Sequence, residues 1–372
     1  MSASAASGKF ATAQAVLTID LAALVANWRA MAAACAPAEC GAVVKANAYG
    51  TGLEPAVRAL SAAGCATFFV ANPGEAARAR AALGTSPGRI YALNGLASPD
   101  AALVLAACDA HAVIGSLEEW RTWLAHAPGK PCAAHIDTGM NRLGMSAQEA
   151  QAVAADPQAG VIDLVMSHFV ASEEDGNALN DAQIAAFDAV RPLFPHARAS
   201  MANSSGVLLA QRPHYDLTRP GYALYGGNPL PGLPNPMRAV VRLEAPMLRV
   251  RHAPAGATVG YNATWTAQRD SVLAVIGVGY ADGLLRSASG SHSHAGGEAI
   301  VGGVRCPIVG RVSMDLTVID ATDAPQGFVH PGAMVEILGE TITVDDLAAR
   351  AGTIGYEILT SLGARYHRVY VG

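Results

Sequence analysis

The chain has 372 residues, 51% of them hydrophobic and 15% charged, with a formal net charge of -5. That length is more than one core needs and argues for two domains, and the apolar content excludes wholesale disorder. A net negative charge with no basic stripe argues against nucleic acid as a partner. Six cysteines (Cys35, Cys40, Cys65, Cys108, Cys132 and Cys306) scatter through apolar segments without a C-x-x-C pair. They read as reduced, buried small hydrophobes of a cytoplasmic protein. Residues 1–13 carry one lysine and no apolar run long enough for a signal peptide, so they read as a flexible tail. No uncharged apolar stretch reaches the roughly 18 residues of a membrane span, so no membrane partner is expected.

Ala15 to Ile19 reads as a short strand, and Asp20 as the N-cap of a helix with Leu21, Leu24, Val25 and Trp28 on one face. Ala42 to Val44 is small and apolar, a strand buried on both faces and ended by Lys45. Asn47, Gly50 and Gly52 break the chain into a loop before a helix over Leu53–Ala63. Strand candidates follow at Thr67–Asn72, Arg89–Asn94, Ala110–Gly115, Cys132–Asp137, Ile162–Phe169, Arg198–Asn203 and Asp216–Arg219. With the lysine strand they make eight, mostly separated by alanine-rich helical stretches, which predicts a TIM-like (β/α)8 barrel over residues 14–227. Lys45, Asn72, Asn94, Asp137, His168, Asn203 and Arg219 then fall at strand ends, where such barrels keep their chemistry.

Residues 228–237, with four prolines, cannot hold a helix or inner strand and read as a linker. Beyond them Val240–Val250, Ser271–Val278, Ala299–Val301, Pro307–Ile319 and Met334–Leu338 predict a mainly β, antiparallel C-terminal domain over 238–372. One helix is expected, capped by Thr343, running from Val344 to Arg350 and stopped by Gly352. Ser287 to Gly297 is low in complexity and reads as a mobile loop, and its His292 and His294 make too weak a pair for a metal site.

A lysine at a buried strand end is costly unless it is paired, deprotonated or used. The string Gly41-Ala42-Val43-Val44-Lys45-Ala46-Asn47-Ala48-Tyr49-Gly50-Thr51-Gly52 resembles the lysine segment of the alanine racemases, which form a Schiff base with pyridoxal 5'-phosphate (PLP). Asp137-Thr138-Gly139-Met140-Asn141-Arg142-Leu143-Gly144, Arg219-Pro220-Gly221-Tyr222-Ala223-Leu224-Tyr225-Gly226 and Val259-Gly260-Tyr261 are similar to further motifs of that family. So are Gly279-Tyr280-Ala281-Asp282-Gly283 and Gly310-Arg311-Val312-Ser313-Met314-Asp315, and the likeness covers the chain from Gln14 onward.

The resemblance implies interconversion of L- and D-alanine by two bases, Lys45 and Tyr261, and a supply of D-alanine for peptidoglycan. It implies that Lys45, Tyr49, His168, Asn203, Ser204, Arg219, Gly221, Tyr222 and Tyr356 hold PLP. Arg142, Met314, Tyr280 and Asp315 would serve the substrate. Asn203-Ser204-Ser205-Gly206 is expected to open a helical run over Val207 to Gln211, a favourable phosphate site. Arginine only donates, so Arg219 at the pyridine nitrogen weakens the ring as an electron sink and suits racemisation over transamination. His168 and Arg219 match a chain that lowers the tyrosine pKa, normally near 10. The family further implies a homodimer with sites shared between subunits.

This chain departs from the pattern at four positions. His135 stands where the family often has a carbamylated lysine, Ser200 where it often has histidine, and Asn262 and Trp265 replace the commoner glycine and tyrosine. The remaining alternatives are a broad racemase of small amino acids and a non-catalytic PLP carrier. A decarboxylase is disfavoured because Cys306 is followed by Pro307 and not by aspartate.

Overall fold

A computed structural model describes residues 15–372; the stretch 1–13, read above as a tail, lies outside the described residues. Two compact units are present. One comprises Leu24–Met237, and the other comprises Arg238–Gly372 with the described residues up to Ala23.

The first unit is built on parallel strands whose residues are buried on both faces. Thr67–Val70, His111–Ile114 and Cys132–His135 are buried at all four positions. That is the signature of a sheet covered by helices. Seven strands run in one parallel ladder: Ala42–Val43, Thr67–Val70, Arg89–Ala92, His111–Ile114, Cys132–His135, Ile162–Met166 and Arg198–Ser200. An eighth, Leu217–Thr218, pairs in parallel with Glu39–Cys40, which continues through Gly41 into the lysine strand. Asp216 N donates to Ala199 O at 3.0 Å and Arg219 N to Ala202 O at 2.8 Å. These bonds join the last strand to the seventh and close the ring. A Cβ on Gly41 would lie 3.1 Å from Phe69, from Thr218 O and from Thr67 O, so a larger residue would crowd the chain where the ring closes.

The helices between the strands start where the sequence supplies caps. The side chains of Asn72, Ser98, Ser116, Ser146 and Asn177 each accept a backbone N–H of the first turn. All eight strands are shorter than expected. They stop at Val43, Val70, Ala92, Ile114, His135, Met166, Ser200 and Thr218, so the polar residues lie in the loops just beyond the ladder. There the backbone is released from strand pairing and free to aim side chains into the barrel mouth.

In the second unit, strand burial alternates. Val16–Asp20 reads intermediate, buried, intermediate, buried, intermediate, as a half-buried strand should. This strand pairs antiparallel with Val241–Ala253 and parallel with His367–Val371, so the first strand of the chain serves the second unit and the sheet is not purely antiparallel. Val241–Ala253 also pairs with Met334–Leu338 and Ser271–Ile276, and the latter with Thr317–Asp320. The stretch expected as one strand, Pro307–Ile319, is divided between Val304–Pro307 and Thr317–Asp320. Gly310, at φ +74°, turns the chain between them. The helix Val344–Ala351 has Thr343 as a capping box and Gly352 as a left-handed stop. A second helix, Gly355–Thr360, was not legible as one. No helix among the described residues is long and apolar enough to cross a membrane.

Candidate active site

Lys45 follows the strand Ala42–Val43 and opens a tight turn in which Ala46, Asn47, Ala48 and Tyr49 all have φ between +51° and +55°. L-residues pay roughly 1–2 kcal/mol each in this region. The turn persists because its backbone is tied down. Asn47 N donates to Glu75 Oε1 at 3.1 Å, Leu53 N to Asn47 Oδ1 at 3.2 Å, and Gly50 N to Ala46 O at 2.9 Å. Glu75 is itself held by the Ala71 N–H at 2.8 Å. Strain over-determined in this way is characteristic of functional sites. Burial lowers the Lys45 ammonium, the nearby Arg142 and Arg219 lower it further, and Glu75 opposes them.

Tyr49 stacks on Tyr225 with ring centroids 4.6 Å apart, and Tyr225 donates to Val43 O at 3.0 Å. The Tyr49 hydroxyl faces Gly221, where an added Cβ would lie 2.3 Å away. Ser204 Oγ accepts from Gly221 N at 3.0 Å and Ala223 N at 3.2 Å. The expected helix over Val207 to Gln211 is absent. Gly206–Leu208 is a single 3-10 turn, with Asn203 Oδ1 accepting from Gly206 N at 2.8 Å. The Asn203 side chain satisfies this N–H locally, and the chain turns extended at Leu209. A helix dipole therefore adds nothing here, and the Gly221 and Ala223 N–H groups converge instead on Ser204 Oγ. Tyr222 packs its buried ring on Gly227, where a Cβ would fall 2.1 Å from the ring.

Arg219 is 3% exposed. Its Nη1 donates to Ser200 Oγ at 2.6 Å and its Nη2 to Ser167 O at 2.5 Å. No carboxylate forms an ion pair with it among the described residues. His168 and His135 lie in its field. Burial, then the Arg219 and Arg142 charges, pull His168 down to about 3. Burial and Arg219 pull His135 down to about 4, against Asp137. Both imidazoles are neutral at pH 7.

The loop carrying Arg142 is organised by Asp137, whose carboxylate accepts from the N–H groups of Gly139, Met140 and Asn141 at 2.9–3.2 Å. Burial raises that carboxyl, and the three N–H donors outweigh it and hold it below the usual range. Arg142, His135, Glu119 and Gly95 line a cavity of about 210 Å³. Asn141 turns its amide onto Gly139 O at 3.3 Å. Lys130 lies beyond the opposite end of the strand Cys132–His135, its carbonyl accepting from Trp123 Nε1 at 3.0 Å.

The sequence reading missed the bonds that hold these loops together. Gln183, buried on the helix Ala178–Val190, donates to His168 O and Thr138 Oγ1, both at 3.0 Å, and accepts from Val170 N at 2.8 Å. Thr138 Oγ1 lies 2.7 Å from Ser167 Oγ. The only signal was a glutamine at a buried helix position, three residues after the equally buried Asn180.

In the second unit Tyr261 opens a short turn, is 67% exposed, and is followed by Asn262 at φ +61°. Asparagine tolerates that conformation, which is why it can stand where glycine is commoner. Tyr280 and Met314 are also exposed. Their segments meet through Tyr280 N to Ser313 O at 3.0 Å and Ala281 N to Met314 O at 2.9 Å. A Cβ on Gly279 would fall 2.4 Å from both carbonyl oxygens, so only glycine permits this approach. Arg365 bridges Asp282 at 3.1 Å and Asp315 at 2.9 Å. Asp315 is thus committed to an ion pair. Tyr356 is half-buried on the helix Gly355–Thr360.

Residues 19–229 match the family model "Alanine racemase, N-terminal domain", and residues 240–370 match "Alanine racemase, C-terminal domain". The chain belongs to the alanine racemase family. It is 50% identical over 361 residues to the alanine racemase of Methylobacterium nodulans, covering 95% of each chain. It is 40% identical over 367 residues to the biosynthetic alanine racemase of Agrobacterium fabrum, covering 95% of this chain and 93% of that one. Among solved structures, the alanine racemase of Bartonella henselae with covalently bound PLP is 38% identical. It superposes with a TM-score of 0.89, over 96% of this chain and 100% of that one. An alanine racemase accordingly has the barrel and the mainly β second unit found here.

Proposed function

We propose that this protein is a PLP-dependent alanine racemase in which Lys45 and Tyr261 are the two bases. The observation that carries this reading is Arg219: a buried guanidinium with no carboxylate partner among the described residues, beside a strained turn that presents a lysine of lowered pKa. A buried cation held only by a hydroxyl and carbonyl oxygens is costly unless an acceptor completes its shell.

The residues present fit PLP. Gly221 leaves room where a Cβ would collide with the Tyr49 hydroxyl, and the hydroxyls of Tyr49 and Ser204, the latter held by the Gly221 and Ala223 N–H groups, are the phosphate donors. Tyr222 and Asn203 shape that cradle, and Tyr356 is assigned a further phosphate contact. PLP, which Lys45 would hold, would supply an electron sink that acidifies the α-proton of an amino acid. Arg219 would hold the ring nitrogen, and because a guanidinium only donates, it would favour the unprotonated form of that nitrogen. His168, neutral beside Arg219, passes no second positive charge into the site.

Lys45 takes or returns the α-proton on one face, where burial and the nearby Arg142 and Arg219 lower its ammonium pKa. Tyr261 does the same on the other face. Arg142 binds the substrate carboxylate, while Met314, through its backbone, and Tyr280 with Asp315 line the approach. The large exposure of Tyr261 and Met314 in the single chain supports a homodimer in which each barrel receives these residues from its partner. We assign the product D-alanine to peptidoglycan synthesis in the cytoplasm.

Incubation with PLP and L-alanine in deuterium oxide tests the reading. α-Deuterated D-alanine is the expected product; an amine would indicate decarboxylation, and no change a carrier. Lys45→Ala should lose both the visible absorbance of bound cofactor and turnover. Mixed Lys45→Ala and Tyr261→Phe chains should recover activity if subunits share sites. Chiral chromatography over a panel of L-amino acids separates an alanine enzyme from a broad one.

A further inference from the structure

We propose that Gln183 is a positioning residue for this site, acting through Thr138 and the backbone of 168–170 to hold the Arg142, His168 and Arg219 segments in register. Gln183 spends its whole amide on this task. Its oxygen accepts from Val170 N at 2.8 Å, and its nitrogen donates to His168 O and Thr138 Oγ1 at 3.0 Å. A side-chain amide thereby clamps the chain just after His168 from both sides of Phe169.

The clamp extends in two directions. Thr138 follows Asp137 at the base of the Arg142 loop, and its hydroxyl meets Ser167 Oγ at 2.7 Å. Ser167 O accepts Arg219 Nη2 at 2.5 Å, and Ser167 N donates to Ser200 O at 3.1 Å. Ser200 Oγ in turn accepts Arg219 Nη1 at 2.6 Å. A continuous chain of hydrogen bonds therefore runs from Gln183 to the Arg219 guanidinium, with the Arg142 loop attached at Thr138. Asn180, three residues earlier on the same helix face, donates to Ala171 O at 3.3 Å and Glu174 O at 3.2 Å. Ser172, in the same segment, donates to Asn203 Oδ1 at 2.9 Å. The helix Ala178–Val190 thus turns a polar pair onto the loop that carries His168.

Gln183 and Asn180 are 2% and 0% exposed. Two amides at i, i+3 on the inner face of an otherwise apolar helix would be poor choices for packing alone, because buried polar atoms need partners; Gln183 has all of its own, whereas Asn180 Oδ1 has none among the described residues. Fastening separate site loops is a role that apolar side chains could not fill.

This inference rests on the assignment of Arg142 to substrate and of His168 and Arg219 to cofactor. Its test compares Gln183→Leu, Thr138→Val and Thr138→Ser with the unaltered holoenzyme. The readouts are PLP binding followed by absorbance, and KM and kcat for L-alanine. Thr138→Val keeps the shape and removes the hydroxyl; Thr138→Ser restores it. Expected are rises of about fivefold or more in KM and in the half-saturating PLP concentration for Gln183→Leu and Thr138→Val. Thr138→Ser should stay within about twofold on both. A purely structural role would lower Tm and leave KM and PLP affinity alone, and that result overturns the proposal. So does an equal loss in Thr138→Ser, which would trace the effect to volume. If Gln183→Leu fails to fold, the Thr138 pair decides alone. An unaltered enzyme that binds PLP without racemising alanine would instead defeat the functional assignment, whatever the variants do.

Discussion

Arg219 Nη1 donates to Ser200 Oγ at 2.6 Å, and that hydroxyl donates onward to Leu217 O at 2.5 Å. Ser200 is fully buried. Its one proton and one lone pair link the guanidinium to the backbone of the strand from which Arg219 itself emerges.

Removing that hydroxyl should be costly. Ser200→Ala leaves a buried guanidinium donor and the Leu217 carbonyl short of a partner, a loss of about 1–3 kcal/mol. Ser200→Thr keeps the oxygen and should recover most of it. Urea unfolding of the apoprotein measures both, and an Ala variant as stable as the parent would show that the bond contributes nothing.

Gly221→Ala should weaken cofactor binding. The new methyl carbon would lie 2.3 Å from the Tyr49 hydroxyl, and Tyr49 cannot swing aside because it is buried and stacked on Tyr225. Overpacking of this kind costs about 1–3 kcal/mol. Tyr49→Phe on the same background removes the nearest atom and should restore part of the Tm. No recovery in the double variant would mean that the clash lies elsewhere.

The left-handed turn after Lys45 predicts a trade of stability against function. Ala46 is exposed at φ +53°, so Ala46→Gly relieves backbone strain without emptying the core. The gain, net of the added freedom of the unfolded chain, is about 0.5–1 kcal/mol. Calorimetry should record a higher Tm, and single-turnover kinetics a slower proton transfer as the lysine loses its fixed aim. A variant that is less stable than the parent contradicts the strain argument.

The two depressed histidines set an acid limit. Burial and neighbouring cations hold His135 near 4 and His168 near 3, whereas both titrate near 6.5 when unfolded. Below pH 6.5 the unfolded chain takes up protons that the folded chain refuses. Stability is therefore complete above pH 6.5 and falls as the pH drops toward the folded values. Each group steepens this fall by about 1.4 kcal/mol per pH unit. His135→Gln should flatten the slope of unfolding free energy between pH 6.5 and 5 by that amount. An unchanged slope would mean that His135 is accessible to protons in the folded state.

No lysine carbamate should form beside Arg142. The position two residues before Asp137 is His135, and Lys130 is anchored beyond the far end of the same strand. Intact mass spectrometry under carbon dioxide should show no added mass on an active-site lysine, and activity should not depend on bicarbonate. A carbamate found on Lys130 would show that it reaches further than its anchorage allows.

Local sequence determined much of this protein. Strands buried on both faces, alanine-rich helices and cap residues such as Ser98 and Ser116 specify repeating strand and helix units without reference to distant residues. The run from Gly41 to Gly52 and the Asp137–Gly144 loop carry their chemistry in a dozen residues or fewer, so Lys45 and Arg142 were legible as candidates. Tertiary structure decided what depended on distant partners. The first strand pairs with segments more than 200 residues away, because its alternating burial needs a half-exposed sheet rather than the barrel. Asn47 tolerates the left-handed turn after Lys45, but Ala46, Ala48 and Tyr49 do not favour it, and the distant Glu75 helps to fix its backbone. Gln183 could not be recognised from its helix, since its meaning lies in three hydrogen-bond partners on two other loops. Hydrophobic period and turn chemistry are local and can be read along the chain; the satisfaction of buried polar groups is a property of the folded interior, and only the tertiary structure supplies it.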